Sequence, residues 1–269
     1  MPVVDFYLPA IKTDSGMGEI LLPFWGDVYL KLGISKYCTN CHKPNRTGGL
    51  LCEECEAGGT GKFFRCLFGK TIENCTPEHP ACEFAENHRI CFNPYVVYVG
   101  RIGKHYKVGI TPRYRDGSPE GYLFRLIEQG LSEAAVFAGK VLDLTLPEAT
   151  ALEAEISEIF RIPTAISFKS KISAVWEESN GENNSDIFDE ITRVFEQIER
   201  IDHVSLAHNY ILPDNFRDFQ EFTWSNKFII SGKVVGFWGP LLFIKGHNNG
   251  WYKILNAQSM VGRMIHTSV

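Results

Sequence analysis

Residues 95–111 read YVVYVGRIGKHYKVGIT, and their pattern indicates the architecture of the central part of the chain. β-branched and aromatic residues fill both ends of the stretch, whereas about four residues in its middle include a glycine and a lysine. Two β-rich runs separated by a short turn of this kind predict an antiparallel hairpin.

The residues that follow predict three further elements. Ser118 and Pro119 have the types that favour a helix N-cap and its first position, and this helix should end at Gly130. Residues 134–144 form a third β-rich run, and a second helix is predicted from about Pro147 to Phe160. The predicted order is β-β-α-β-α, which indicates an α+β fold class.

Four side chains of this block suggest a function. Tyr98 lies in the first tripeptide (97–99), Lys107 begins the second (107–109), and Arg125 and Glu153 lie on the two helices. In this pattern the chain resembles the GIY-YIG nuclease fold, in which two strand tripeptides, a helical arginine and a helical glutamate converge. It departs from that pattern in having Lys107 where the family has tyrosine, and in lacking a clear asparagine after the glutamate helix.

The resemblance implies phosphodiester hydrolysis with a role for each residue. Glu153 would hold a divalent cation such as Mg²⁺ or Mn²⁺, since carboxylate oxygens suit hard cations. Arg125 would clamp the phosphate with its planar guanidinium. Tyr98 would orient or deprotonate the attacking water, and Lys107 would supply positive charge or act as the base.

The choice of Glu153 depends on the helical register. On a helical wheel Glu153 lies at one edge of the apolar stripe, and Glu148 and Glu155 lie at the other edge. The wheel does not decide among the three, but the register of the family's helix favours Glu153.

Four of the eight cysteines have the spacing Cys38-x2-Cys41-x10-Cys52-x2-Cys55. Two CxxC pairs joined by a polar, turn-rich loop predict a zinc ribbon with one tetrahedral Zn²⁺. Two disulfides are the alternative. Residues 1–5 show neither the basic start nor the apolar run of a signal peptide, so zinc is favoured.

The other four cysteines are more widely spaced, at Cys66, Cys75, Cys82 and Cys91. They predict a second Zn²⁺ site, with a [4Fe–4S] cluster as the alternative. Either His79 or His88 could replace one sulfur.

A wider resemblance covers nearly the whole chain. It is to a Cys-rich family of archaeal and actinobacterial proteins classed as a domain of unknown function. The motifs that carry it lie at residues 37–41, 49–55, 91–95, 107–111, 127–130 and 231–236. This resemblance implies family membership but no activity.

Charge and hydropathy indicate the partners and the location. The net charge is -5, yet residues 94–130 carry six basic and three acidic side chains, enough for a local phosphate-binding face. The longest apolar stretch, residues 228–244, is broken by Lys233, three glycines and Pro240. We therefore expect a cytoplasmic protein with a DNA or RNA partner and no membrane contact.

The sequence divides into four predicted regions. These are an N-terminal β element with the zinc ribbon (1–61), a second Cys-rich segment (62–94), the nuclease-like core (95–176) and a C-terminal region (177–269). The last region should hold one helix, with apolar residues at helical spacing from Ile187 to Ile201, and a β-meander. The leading function is a metal-dependent endonuclease or phosphodiesterase. The alternatives are a non-catalytic nucleic-acid-binding module and an RNA-modifying enzyme with a metal or Fe–S centre.

Overall fold

The computed structural model describes residues 6–13, 16–22, 26–47, 49–59, 61, 91–114, 120–178, 186–221, 228–247, 251–257 and 263–267. The chain divides into two compact units. One, called here the terminal unit, comprises Met1–Lys62 and Tyr210–Val269, and the other, the central unit, comprises Phe63–Asn209.

The described residues form strands, helices and two short 3-10 turns. The strands are β1 Phe6–Thr13, β2 Gly16–Leu22, β3 Gly26–Tyr37, β4 Pro44–Asn45, β5 Tyr95–Ile102, β6 His105–Pro112, β7 Glu133–Gly139, β8 Ile198–Ser205, β9 Gln220–Glu221, β10 Phe228–Trp238, β11 Leu241–Gly246, β12 Tyr252–Asn256 and β13 Arg263–Thr267. The helices are α1 Glu53–Ala57, α2 Tyr122–Gln129, α3 Leu146–Phe160, α4 Phe168–Glu178 and α5 Asp186–Val194, and the 3-10 turns are Ala207–Asn209 and Phe216–Asp218. The mixture of helices and sheets confirms the α+β class.

The terminal unit is built on one nine-stranded sheet in the order β2-β1-β13-β3-β10-β11-β12-β9, with β4 on β3. The predicted C-terminal meander is present as β10, β11 and β12. Strand β13 leaves it, however, and pairs with β3 and β1, and β10 also pairs with β3. Both ends of the chain therefore contribute strands to one sheet. Its buried residues include Phe237, Leu241, Phe243 and Leu255.

The central unit has a four-stranded antiparallel sheet in the order β6-β5-β7-β8. Its elements from β5 to α3 follow the predicted β-β-α-β-α order. Because side chains alternate along a strand, β5 turns Val97 and Val99 into a core shared with α3 and α5. Tyr98 consequently faces the opposite side of the sheet.

Several predicted boundaries differ in the structure. The third strand stops at Gly139 instead of Leu144, because the chain turns outward there and leaves Val141 92% exposed. The helix from Ser118 falls partly on residues 115–119, which lie outside the described residues. Its predicted end is confirmed, since Gly130 caps α2 with a φ of 74°, a left-handed value that glycine adopts at little cost.

The predicted C-terminal region is divided between the two units. Helix α5 ends at Val194, and Ile198 and Ile201, which fit the helical spacing, instead belong to β8. Strand β8 pairs with β7 and so belongs to the central unit. The division between the two compact units falls at Tyr210, whereas the predicted C-terminal region begins at residue 177.

Candidate functional site

The first four cysteines form a compact cluster. The sulfurs of Cys38, Cys41, Cys52 and Cys55 all lie within 4.8 Å of one another, and those of Cys41 and Cys52 are 3.6 Å apart. Zn–S bonds of about 2.3 Å in a tetrahedron place sulfurs about 3.8 Å apart, whereas a disulfide needs about 2.05 Å. All four are free thiols, so the structure lacks the alternative disulfides, and the cluster could hold a metal ion such as zinc.

The cluster is assembled differently from the predicted ribbon. Cys38 follows β3 directly, and Cys41 lies in the turn between β3 and β4. Cys52 and Cys55 lie at the start of α1 and inside it. A ribbon would carry both pairs in hairpin turns, but the acidic, turn-free sequence after Cys52 forms a helix instead.

The loop between the two pairs is fixed by one buried side chain. Asn45 donates through Nδ2 to the carbonyls of Gly49 and Leu51 at 2.9 and 3.0 Å. Its Oδ1 accepts from the backbone N–H and the hydroxyl of Thr47 at 3.0 and 2.8 Å. The chain's own hydrogen bonds therefore bring the two CxxC pairs together.

The pKa values of two cysteines in the cluster are shifted in opposite directions. Burial raises the pKa of Cys38, but backbone hydrogen bonds to its sulfur outweigh burial and lower it to about 6. A backbone hydrogen bond at Lys43 lowers the pKa of Cys41, whereas burial and the other three cysteines raise it to about 12. Four thiolates therefore need a cation to be ionised together.

Only part of the second cysteine set can be placed. Cys91 is a buried thiol in the hydrophobic core of the central unit. The remaining predicted ligands, Cys66, Cys75, Cys82, His79 and His88, lie outside the described residues. The second metal site therefore stays a prediction.

Tyr98 and Lys107 meet across the hairpin. Tyr98 pairs with Gly109, and a Cβ atom at Gly109 would lie 2.4 Å from the Tyr98 hydroxyl. Glycine is thus required for the ring to lie over β6. Lys107 lies two residues before Gly109 on the same face, with its Nζ 5.5 Å from the centre of the Tyr98 ring.

The two helical residues reach the same place. Arg125, on α2, is half-exposed, its charge acts on Tyr98, and it forms an ion pair with Glu128 at 3.3 Å. Glu153, on α3, is half-buried, and its charge acts on both Tyr98 and Lys107. The structure therefore brings together all four residues that the sequence suggests.

The structure also separates the three candidate glutamates. Glu148 forms a capping box with Thr145, accepting from its backbone N–H at 2.8 Å and from its hydroxyl at 2.7 Å. Glu155 is exposed. Of the three, only Glu153 acts electrostatically on Tyr98 and Lys107.

Two residues of the site were not among the sequence candidates. Lys171, on α4, donates to the backbone carbonyl of Gln129 at 3.0 Å. Lys107 donates to the Gln129 side-chain oxygen at 2.9 Å. A signal for Lys171 was present, because it lies at helical spacing from Phe168 and Val175 and so falls on the apolar face of α4.

Burial and neighbouring charges shift the pKa values of the site. Burial raises the pKa of Tyr98 to about 12, with the Arg125 charge opposing it. Burial, then the charge of Lys171, lowers the pKa of Lys107 to about 8. Burial, then the charge of Arg125, lowers that of Lys171 to about 8. Burial also raises the pKa of Glu153, and Lys107 partly opposes this.

No protein-family model, curated protein or solved structure matches the chain. The part of the chain that the structure describes contains no helix with the length and hydropathy needed to span a membrane.

Proposed function

We propose that the central unit cleaves phosphodiester bonds of DNA or RNA with the help of a divalent cation. One observation carries the proposal: Tyr98, Lys107, Arg125 and Glu153 come from four different elements and meet at one place. Hydrolysis of a phosphodiester needs a positioned water, a proton acceptor and positive charge on the phosphoryl oxygens. The proposed likeness to GIY-YIG nucleases and to the Cys-rich family rests on the sequence motifs.

Arg125 is suited to the phosphate. Its guanidinium is the most exposed cation of the site and is held by Glu128 at 3.3 Å. A planar guanidinium can donate to two oxygens of one phosphate at once. Arg125 therefore binds the substrate phosphate at the exposed side of the site.

The pKa values divide the proton chemistry between Tyr98 and Lys107. Because the pKa of Tyr98 is raised to about 12, its hydroxyl keeps its proton and orients the attacking water. The pKa of Lys107 is lowered to about 8, so part of it is a neutral amine at mildly alkaline pH and can accept a proton from water. We expect kcat/KM to rise with pH as the pH approaches about 8.

Glu153 is the residue that would hold the cation. It is a single half-buried carboxylate, and the positive charge of Lys107 partly compensates its negative charge. One carboxylate suits Mg²⁺ or Mn²⁺, since such ions keep several waters and take further oxygens from the substrate. When bound, the cation would stabilise negative charge on the phosphoryl oxygens.

Hydrolysis of labelled single-stranded and branched DNA and RNA, with Mg²⁺ or Mn²⁺, tests the proposal. We expect Glu153→Gln to lower the rate by about 10²-fold or more. Glu155→Gln on the same helix is the matched control, since Glu155 is exposed and outside the site. Cleavage that survives Glu153→Gln unchanged would contradict the assignment.

The same preparations separate the alternatives. Binding of the oligonucleotides without cleavage under any of these conditions would indicate the non-catalytic module. Stoichiometric iron with absorption at about 400 nm would indicate a [4Fe–4S] cluster and favour the RNA-modifying enzyme.

We further propose that the cysteine cluster holds a structural Zn²⁺. Four cysteine sulfurs complete a tetrahedral coordination shell and leave no position for a substrate. Metal analysis of the purified protein tests this, with at least one zinc per chain expected.

A further inference from the structure

Two lysines of the candidate site are buried and share one hydrogen-bond partner. Lys107 and Lys171 are only 5% and 8% exposed. Both donate to the same residue, Gln129, one to its side-chain oxygen and the other to its backbone carbonyl. Gln129 therefore fixes the position of both ammonium groups.

The charges of these lysines are poorly compensated. Among the described residues, no carboxylate lies within ion-pair distance of either ammonium group, and the oxygen atoms that they contact are neutral. Burying an ammonium group is costly unless it is paired. Arg125 adds a third cation, and Glu153 is the carboxylate whose charge reaches Lys107.

A purely structural role does not require this arrangement. Any neutral donor could satisfy the Gln129 carbonyl. Each ammonium group has three donor hydrogens, and the described residues engage one of them in each lysine. The unused donors of Lys107 and Lys171, together with the exposed guanidinium of Arg125, match an anion with several oxygens.

We propose that Lys171, acting with Lys107, binds a backbone phosphate of the nucleic acid and is a further substrate-binding residue of this site. The inference rests on the proposed function for the identity of the substrate. A phosphate held here would supply the negative charge that the free protein lacks, and Arg125 would contact it from the exposed side. Lys171 thus contributes to substrate affinity and not to the proton chemistry.

The test compares Lys171 variants for binding without turnover. In a Glu153→Gln background, fluorescence anisotropy measures the affinity for labelled DNA and RNA from about 50 to 200 mM salt. We expect Lys171→Met to weaken binding about tenfold and to reduce the salt slope by about 0.7 for a single strand. Lys171→Arg should keep the slope, because it keeps the charge.

Lys169 provides the matched control. It is exposed on the same helix, and Lys169→Met should leave affinity and slope unchanged. A Lys171→Met protein with the parent's affinity and slope would overturn the inference while leaving the proposed function intact.

A second measurement separates the two possible failures. Calorimetric titration with inorganic phosphate tests the anion site without any nucleic acid. If no oligonucleotide binds but phosphate binds and is lost in Lys171→Met, the anion site stands and the proposed function fails. If the parent binds neither phosphate nor oligonucleotide, the inference is overturned.

Discussion

The cysteine cluster of the terminal unit and the lysine site of the central unit carry opposite charges when ionised. They are alike in that each gathers several side chains of one charge type. The cluster gathers four thiols within 4.8 Å, and these need a cation before all can ionise. The site gathers Lys107, Lys171 and Arg125 with incomplete compensation, and these need an anion. Under the two proposals above, each region binds an ion of the opposite charge.

The two regions differ in how the ion can enter. Two of the four sulfurs, those of Cys38 and Cys52, belong to buried residues, and four thiolates leave no open position on a tetrahedral metal. The lysine site is open at Arg125, whose side chain is 45% exposed. We infer that the first region holds its ion permanently, whereas the second exchanges it, as a substrate site must.

The largest effect is expected from removing one thiolate. Cys52→Ser should lower the zinc content by one ion per chain. It should also unfold the cluster, because structural zinc contributes about 10 kcal/mol or more of binding free energy to such sites. Metal analysis and thermal unfolding measure both effects. Cys91→Ser is the comparison, since Cys91 is not one of the four clustered cysteines and its loss should leave the zinc of the cluster bound. Equal zinc content in Cys52→Ser and the parent would contradict the assignment.

The next largest effect is expected on catalysis at Tyr98. Tyr98→Phe keeps the buried ring but removes the hydroxyl that we propose orients the attacking water, so we expect the rate of hydrolysis to fall about 10²-fold with little loss of stability. Gly109→Ala should lower both the rate and the stability, since its Cβ would lie 2.4 Å from that hydroxyl. Kinetics and urea unfolding separate the two. A fully active Tyr98→Phe would remove Tyr98 from the mechanism.

Features set by residues close together in the sequence could be predicted from it. Cys41 and Cys52 are 11 residues apart, so spacing alone indicated the cluster. The hairpin and the end of α2 at Gly130 were likewise set by local residue types. The zinc identity and the roles of Tyr98 and Glu153 stay predictions.

Long-range pairing limited the rest. Lys171 and Gln129 are 42 residues apart in the sequence. A lysine in a polar helix is predicted to be exposed to solvent unless the spacing of the neighbouring apolar residues places it on the apolar face. Ile198 and Ile201 fit a helical pattern, but pairing with β7 makes them part of a strand. Strand β10 joins β3 from the other end of the chain, which no local pattern reveals.

A smaller effect is expected from the loop that supports the cluster. Asn45→Ala removes the hydrogen bonds that the buried Asn45 side chain makes to Thr47, Gly49 and Leu51, which should lower the free energy of unfolding by about 1–3 kcal/mol. Lys43→Ala is the control, because its ion pair with Glu54 is exposed and such pairs contribute little. Chemical unfolding of zinc-loaded protein measures both. Equal losses in the two variants would show that the loop does not depend on Asn45.

The smallest expected effect is on the free energy of unfolding of Lys171→Met. It bears most directly on the contrast between the cysteine cluster and the lysine site. Folding lowers the pKa of Lys171 from 10.5 to about 8, so the folded protein binds fewer protons than the unfolded chain between these pH values. Stability of the parent therefore rises with pH across this window, and the cost of the buried charge is complete below about pH 8. That cost is about 3 kcal/mol at most.

Lys171→Met removes this cost but also leaves the Gln129 carbonyl without its donor, a loss of about 1–3 kcal/mol at any pH. Relative to the parent, the variant should therefore be as stable or more stable at about pH 7 and less stable at about pH 10. Urea unfolding at the two pH values measures the difference. A side chain whose removal weakens phosphate binding without destabilising the fold at neutral pH is kept for its ligand. An equal loss of stability at both pH values would instead show that Lys171 serves only to hold Gln129.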